Sequence, residues 1–215
     1  MINSILGLPY AHLSLSSKLY DKSKIISDIE HNYLLDKQRN NWDADLSHSS
    51  TLHHSNCDDE NSFFLKINYE KIIPEYEKII KDFLSNLSYN QKDIKFNFDI
   101  VNYTCINDNQ YMREHDHIGH CDFFMIHYIQ FDEKNHLPTI YKNTHSFAPY
   151  INDIKNTNKF LKNNLQNVWR EKDFIINVKE DDIVIMPGAV PHLVVNKNNS
   201  VKNRITIVIN FNLMD

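Results

Sequence analysis

From Ile94 to the end, the chain consists of short runs rich in Ile, Val, Phe, Tyr and Thr, broken by polar turn residues. Such runs favour a pleated backbone and predict strands. They fall near 94–106, 111–117, 123–131, 137–143, 173–178, 183–186, 191–196 and 203–213. Eight short strands with turn signals between them predict two sheets packed face to face, a jelly roll. The texture upstream differs. Residues 23–36 place Ile25, Ile26, Ile29, Leu34 and Leu35 near helical spacing, which predicts an amphipathic helix. From 73 to 87, Tyr76, Ile79, Ile80, Phe83 and Leu87 form a second apolar stripe. Pro74 lies in its first turn, where a missing N–H costs little. The expected fold class is α+β: an all-β core, a cupin-like double-stranded β-helix, packed against two N-terminal helices. A length of 215 residues fits one domain, with 1–92 as helical support and 93–215 as the core.

Composition excludes several function classes. The net charge is −5 and the basic residues are scattered, so no nucleic-acid partner is expected. No apolar run approaches the roughly 20 residues of a membrane span, and the first residues carry no basic region of a secretory signal. Cys57, Cys105 and Cys121 are odd in number and lack CxxC spacing. That argues against a disulfide framework or a cysteine zinc site and predicts a cytoplasmic location. The polar stretch 43–61, with His48, His53 and His54, reads as a surface loop. The Asn-rich insertion 143–167, with a short helical pattern near Phe160–Val168, interrupts the strand series. Together these two segments are expected to frame a pocket.

Alternation along the last strand sorts its residues into two faces. Ile205, Ile207, Ile209 and Phe211 share one; Arg204, Thr206, Val208 and Asn210 share the other. The apolar face needs cover, which the two helices can supply. The mixed face then looks into the barrel, and an arginine buried there needs an anionic partner. A dicarboxylate gripped bidentately is suited to that role.

His115 and His117 are two apart, so on a strand both point the same way and Asp116 points away. His192 follows about 75 residues after His117, entered through Met186-Pro-Gly-Ala-Val-Pro191, and Arg204 lies 12 further on. Three protein ligands on one face of an octahedral metal leave three positions open for cosubstrate and O₂, the logic of a non-haem iron site. Two other carboxylates compete for the second ligand position: Asp116, if the strand bulges, and Asp122 in the string His120-Cys-Asp122.

From about Asp99 to Phe211 the chain resembles the 2-oxoglutarate- and Fe(II)-dependent oxygenases, in particular the small prolyl-hydroxylase-like members of marine bacteria and their phages. The residues that carry the resemblance are Tyr111-Met-Arg-Glu-His-Asp-His-Ile-Gly119, Met125-Ile-His-Tyr-Ile-Gln-Phe-Asp132, Asp181-Asp-Ile-Val-Ile-Met-Pro-Gly188, Pro191-His192 and Arg204-Ile-Thr-Ile-Val-Ile-Asn210. Asn41-Trp42 adds a looser match. The resemblance implies His115 and His192 as iron ligands, with His117 at the position that is usually a carboxylate. It implies Arg204 as the partner of the distal carboxylate of 2-oxoglutarate, helped by Thr206 and by Tyr128. Tyr111 would line the substrate side. Asp181 stands where the family usually has glycine, a change expected to touch only a turn.

The implied function is a dioxygenase using Fe(II), 2-oxoglutarate and O₂ to hydroxylate a C–H bond of a peptidyl (prolyl) or small-molecule substrate. One alternative is a three-histidine cupin oxygenase that does not use 2-oxoglutarate, which explains His117 but gives Arg204 and Thr206 no role. The other is a non-enzymatic jelly-roll binding or structural protein, such as a phage accessory protein.

Overall fold

A computed structural model describes residues 2–5, 8–35, 47–48, 50–52, 63–87, 94–107, 110–143, 173–195 and 202–214. All eight expected strands are present: β5 (Lys95–Ile106), β6 (Tyr111–His115), β7 (Phe123–Gln130), β8 (Ile140–Lys142), β9 (Asp173–Ile175), β10 (Asp182–Pro187), β11 (His192–Val194) and β12 (Arg204–Met214). They form two antiparallel four-stranded layers, ordered β10-β7-β12-β5 and β6-β11-β8-β9. This is the double-stranded β-helix.

Four further strands lie in the part expected to be helical support alone. β1 (Ile2–Ile5) and β2 (Leu8–Ser14) extend the larger sheet beyond β10, and β4 (Ser50–Leu52) extends it beyond β5. β3 (Ser47–His48) adds to the smaller sheet beside β6. The polar 43–61 stretch is therefore not wholly loop; the backbone of its middle pairs with the barrel. His53, His54, Cys57, Trp42 and the 144–167 part of the insertion lie outside the described residues.

The helices are α1 (Lys22–Leu35) and α2 (Ile73–Asn86). Both lie on the apolar face of the larger sheet, where Ile25, Ile29, Tyr33, Tyr76, Ile80, Phe83 and Leu84 join Ile205, Ile207, Ile209 and Phe211 in one core. The inward face of α1 differs from expectation at its end. Leu34 and Leu35 are exposed, and Asn32 and Tyr33 are buried instead. At about 100° per residue, Leu34 sits half a turn round from Ile25, whereas Asn32 and Tyr33 return to its face. The buried Asn32 is satisfied: its amide donates to Leu65 O at 2.8 Å and accepts from Leu65 N at 2.6 Å.

A second core fills the space between the sheets, with Phe124, Ile126, Tyr128, Tyr141, Val184 and Met186 among its members. On β7 the faces alternate as far as Ile129, next to a register shift against β12 between His127 and Gln130. Met125 and Ile129 face the helices; Phe124, Ile126 and Tyr128 face the barrel interior. Among the described residues, no helix is long and apolar enough to cross a membrane.

Candidate metal centre

β6 and β11 are paired so that His115 stands directly opposite His192. β6 ends at His115, but the backbone alternation continues, and His117 N donates to Gly188 O at 2.8 Å. The three rings consequently gather at one end of the barrel. Their centroids are separated by 4.3 Å (His115–His192), 5.3 Å (His117–His192) and 5.8 Å (His115–His117). One ring nitrogen from each lies within 4.8 Å of the others, and His117 and His192 are buried. Phe124 packs beneath, stacked on His117 at 4.7 Å and on His192 at 4.6 Å.

The outer ring nitrogens each meet an oxygen. His115 Nδ1 faces Arg113 O at 2.9 Å, His192 Nδ1 faces Val190 O at 3.1 Å, and His117 Nδ1 faces Asn210 Oδ1 at 3.0 Å. Carbonyl oxygens only accept, so Nδ1 carries the hydrogen and Nε2 keeps the lone pair, the tautomer that a metal ligand needs. Burial lowers the pKa of all three rings, that of His117 to about 4, with the neighbouring His115 adding to the effect at His117 and His192. Neutral imidazoles at neutral pH are the form that binds first-row divalent metals.

Neither competing carboxylate joins the cluster. Asp116 is exposed, and its Oδ1 accepts from Ile118 N at 3.0 Å within the turn. Asp122 ties that turn to β12, accepting from Leu213 N at 2.8 Å and donating its own N–H to Asn212 Oδ1 at 2.9 Å. Gly188 is needed for the close approach of the two segments. A Cβ there would lie 2.2 Å from Cys121 O, and its N–H donates to Asp122 O at 2.8 Å.

A narrow pocket joins the histidines to Arg204 and is also lined by Thr139, Thr206, Ile126 and Val208. Arg204 is buried. Its Nε donates to Leu137 O at 3.3 Å and its Nη2 to Thr139 Oγ1 at 3.0 Å. Nη1 is buried with no hydrogen-bond partner among the described residues. Thr206 is buried on the same face. Tyr128 lies against the guanidinium, 5.2 Å from ring centroid to Cζ, but its hydroxyl donates to Thr139 Oγ1 at 2.9 Å. It therefore supports Arg204 through its ring and through Thr139.

Tyr141, which the sequence reading passed over, is a further polar group here. It pairs across strands with His192, and its buried hydroxyl has no partner at hydrogen-bond geometry among the described residues. Burial and the adjacent Tyr128 raise its pKa, while the Arg204 charge lowers it. The available signal was its two-residue spacing from Thr139 on a predicted strand. Tyr111 lies apart from this cavity, on a shallow surface pocket with Arg113 and Leu193.

Among solved structures the chain is similar to a prolyl hydroxylase from Trichoplax adhaerens in complex with a hypoxia inducible factor oxygen degradation domain peptide fragment. The TM-score is 0.55 at 10% identity, covering 94% of this chain and 82% of that one. The chain shares its fold with a prolyl hydroxylase. Lower-scoring neighbours are the viral collagen prolyl hydroxylase of Paramecium Bursaria Chlorella virus-1 in its 2OG complex (0.48, 12% identity, 94% of each chain) and a Pseudomonas putida prolyl-4-hydroxylase (0.47, 8% identity, 94% of this chain and 91% of that). No protein-family model matches the sequence, and no curated protein matches it significantly.

Proposed function

We propose that the protein is a 2-oxoglutarate- and Fe(II)-dependent oxygenase that hydroxylates a C–H bond, with residues 1–215 acting as one unit. His115, His117 and His192 are its metal ligands, and Arg204 is its cosubstrate anchor. One observation carries this reading: a single cavity has three convergent, neutral imidazoles at one end and a buried, partnerless guanidinium nitrogen at the other. Both ends fit the group they would hold. Bound iron with 2-oxoglutarate and O₂ supplies the oxidising chemistry, giving succinate, CO₂ and one oxygen atom inserted into the substrate C–H bond.

The chain's own task is placement. Arg204 Nη1 offers two hydrogens to a carboxylate, with Thr206 as a neighbouring hydroxyl donor and Tyr128 bracing the guanidinium. Phe124 fixes the plane of two imidazoles, and Ile126, Val194 and Val208 keep the passage between the two ends apolar. A three-histidine oxygenase without 2-oxoglutarate leaves the Arg204 end of the cavity without a purpose. The peptide bound to the Trichoplax enzyme supports testing peptidyl substrates alongside small metabolites.

Anaerobic reconstitution with Fe(II) and 2-oxoglutarate, followed by O₂, tests the reading. Succinate formation that requires iron is expected, accelerated by a true substrate. Absence of succinate together with absence of metal-dependent 2-oxoglutarate binding refutes it.

A further inference from the structure

His115 and His192 each hold their Nδ1 hydrogen against a backbone carbonyl two residues earlier in the chain. Those acceptors come with the strand. His117 has a different arrangement: its Nδ1 partner is a side chain, Asn210 Oδ1, 93 residues away on β12. The stack on Phe124 fixes the plane of the His117 ring. Stacking does not decide which way round the ring lies in that plane, because a half-turn about Cβ–Cγ leaves the plane unchanged. Only the hydrogen bond distinguishes the two orientations.

A carboxylate at position 117 would not need such a selector, since both its oxygens can bind a metal. An imidazole has one lone-pair nitrogen, and it must be turned the right way. We infer that Asn210 is the positioning residue that makes His117 a metal ligand, fixing its tautomer and turning Nε2 toward His115 and His192. β12 thus serves both ends of the cavity. Arg204 and Asn210 lie on the same face, about 20 Å apart along a strand, one at the anion end and the other behind the third imidazole.

This inference rests on the oxygenase reading for its metal, so the test has one arm that needs no metal. Long-range ¹H–¹⁵N spectra of the metal-free protein report the His117 tautomer. The wild type is expected in the Nδ1–H form, and Asn210→Ala is expected to lose that preference. The second arm measures anaerobic Co(II) affinity and the visible spectrum of the bound ion. Removing an outer partner of a histidine ligand typically costs about 10- to 100-fold in metal affinity, and Asn210→Ala is expected in that range. Asn210→Asp keeps an acceptor oxygen and is expected to restore the affinity, which a merely structural role would not predict. Melting curves of each variant confirm that it is folded.

The inference is overturned if His117 is Nε2–H in the wild type, if Asn210→Ala binds Co(II) as tightly as the wild type, or if Asn210→Asp is as weak as Asn210→Ala. A wild type that takes up no Co(II) at all sinks the oxygenase reading and the metal role of Asn210 with it. The tautomer spectra then still decide whether Asn210 orients the ring.

Discussion

Replacing Arg204 with methionine separates what the arginine does for the fold from what it does for a ligand. In the fold it has two hydrogen bonds, one of them long at 3.3 Å, and the face of Tyr128 at 5.2 Å. No described carboxylate lies within ion-pair distance of it, and Nη1 is bare. Burying an ion without a counter-charge costs several kcal/mol. The two hydrogen bonds return about 1.5–3 kcal/mol each at best, and Thr139 Oγ1 keeps its bond from Tyr128 after the substitution. Methionine fills similar volume and removes the unpaired charge. The ligand-free variant should therefore be at least as stable as the wild type. Its 2-oxoglutarate affinity should collapse, because removing one side of a buried charge pair costs about 2–5 kcal/mol, roughly 30- to several-thousand-fold. Thermal melts in Mn(II), with and without 2-oxoglutarate, read both effects. At about 100 times Kd the ligand should add about 2.7 kcal/mol to the wild type, roughly a 5–11 °C rise in Tm for a chain of this size, and nothing to the variant. A variant that loses several kcal/mol without ligand, or still binds 2-oxoglutarate within about threefold, refutes the reasoning.

Two further outcomes follow from other contacts. Burial and the nearby Lys22 charge hold the His127 imidazole at about 3, against about 6.5 when unfolded. The neutral form is favoured in the fold, so this stabilisation is present above pH 6.5 and is lost as pH falls toward 3. The loss should reach about 2 kcal/mol between pH 7 and pH 5. Urea titrations at pH 7, 6 and 5 should show a shallower acid loss in His127→Gln than in the wild type; equal slopes would exclude His127 as a source. Gly188→Ala should lower both stability, by about 1–3 kcal/mol, and Co(II) affinity, because its Cβ would meet Cys121 O at 2.2 Å and displace the turn that carries His117. Urea titration and Co(II) titration check the two effects, and an unchanged variant would show that the turn is not tightly fitted.

The eight barrel strands were legible because each carries its own alternation and β-forming residues. The short strands were not. β3 and β4 are two and three residues long and exist through pairing with β6 and β5, which leaves no local trace. β2 contains Pro9 and sends Ala11 and Leu13 toward one core and Leu8 and Tyr10 toward the other, so no single apolar face with a polar opposite signals a strand. In the site, the histidine pair, Pro-His and Arg-x-Thr were visible because residues two apart share a face. Asn210 and Tyr141 were visible as residues but not in role. Each acquires its role from a partner distant in sequence, His117 and His192 respectively, and those pairings are set only once the chain has folded.

Asp181 shows how an aspartate can occupy a turn position suited to glycine. The position takes φ = +68°, a left-handed conformation that glycine enters freely and aspartate tolerates better than most residues. The side chain then supplies what glycine could not. Tyr20 Oη donates to it at 2.6 Å and Lys22 Nζ at 2.8 Å, while Lys22 also reaches Glu180 at 2.7 Å. Tyr20, just before α1, and Lys22, its first residue, are thereby anchored to the β9–β10 turn. The backbone of the same residue donates to Tyr128 O at 2.8 Å, and Tyr128 in turn braces Arg204 and Thr139. Asp181 thus does more than adjust a turn. Its side chain ties the start of the helical layer to the β9–β10 turn, and the backbone of that turn holds Tyr128, so the N-terminal segment is linked to the residue that braces Arg204.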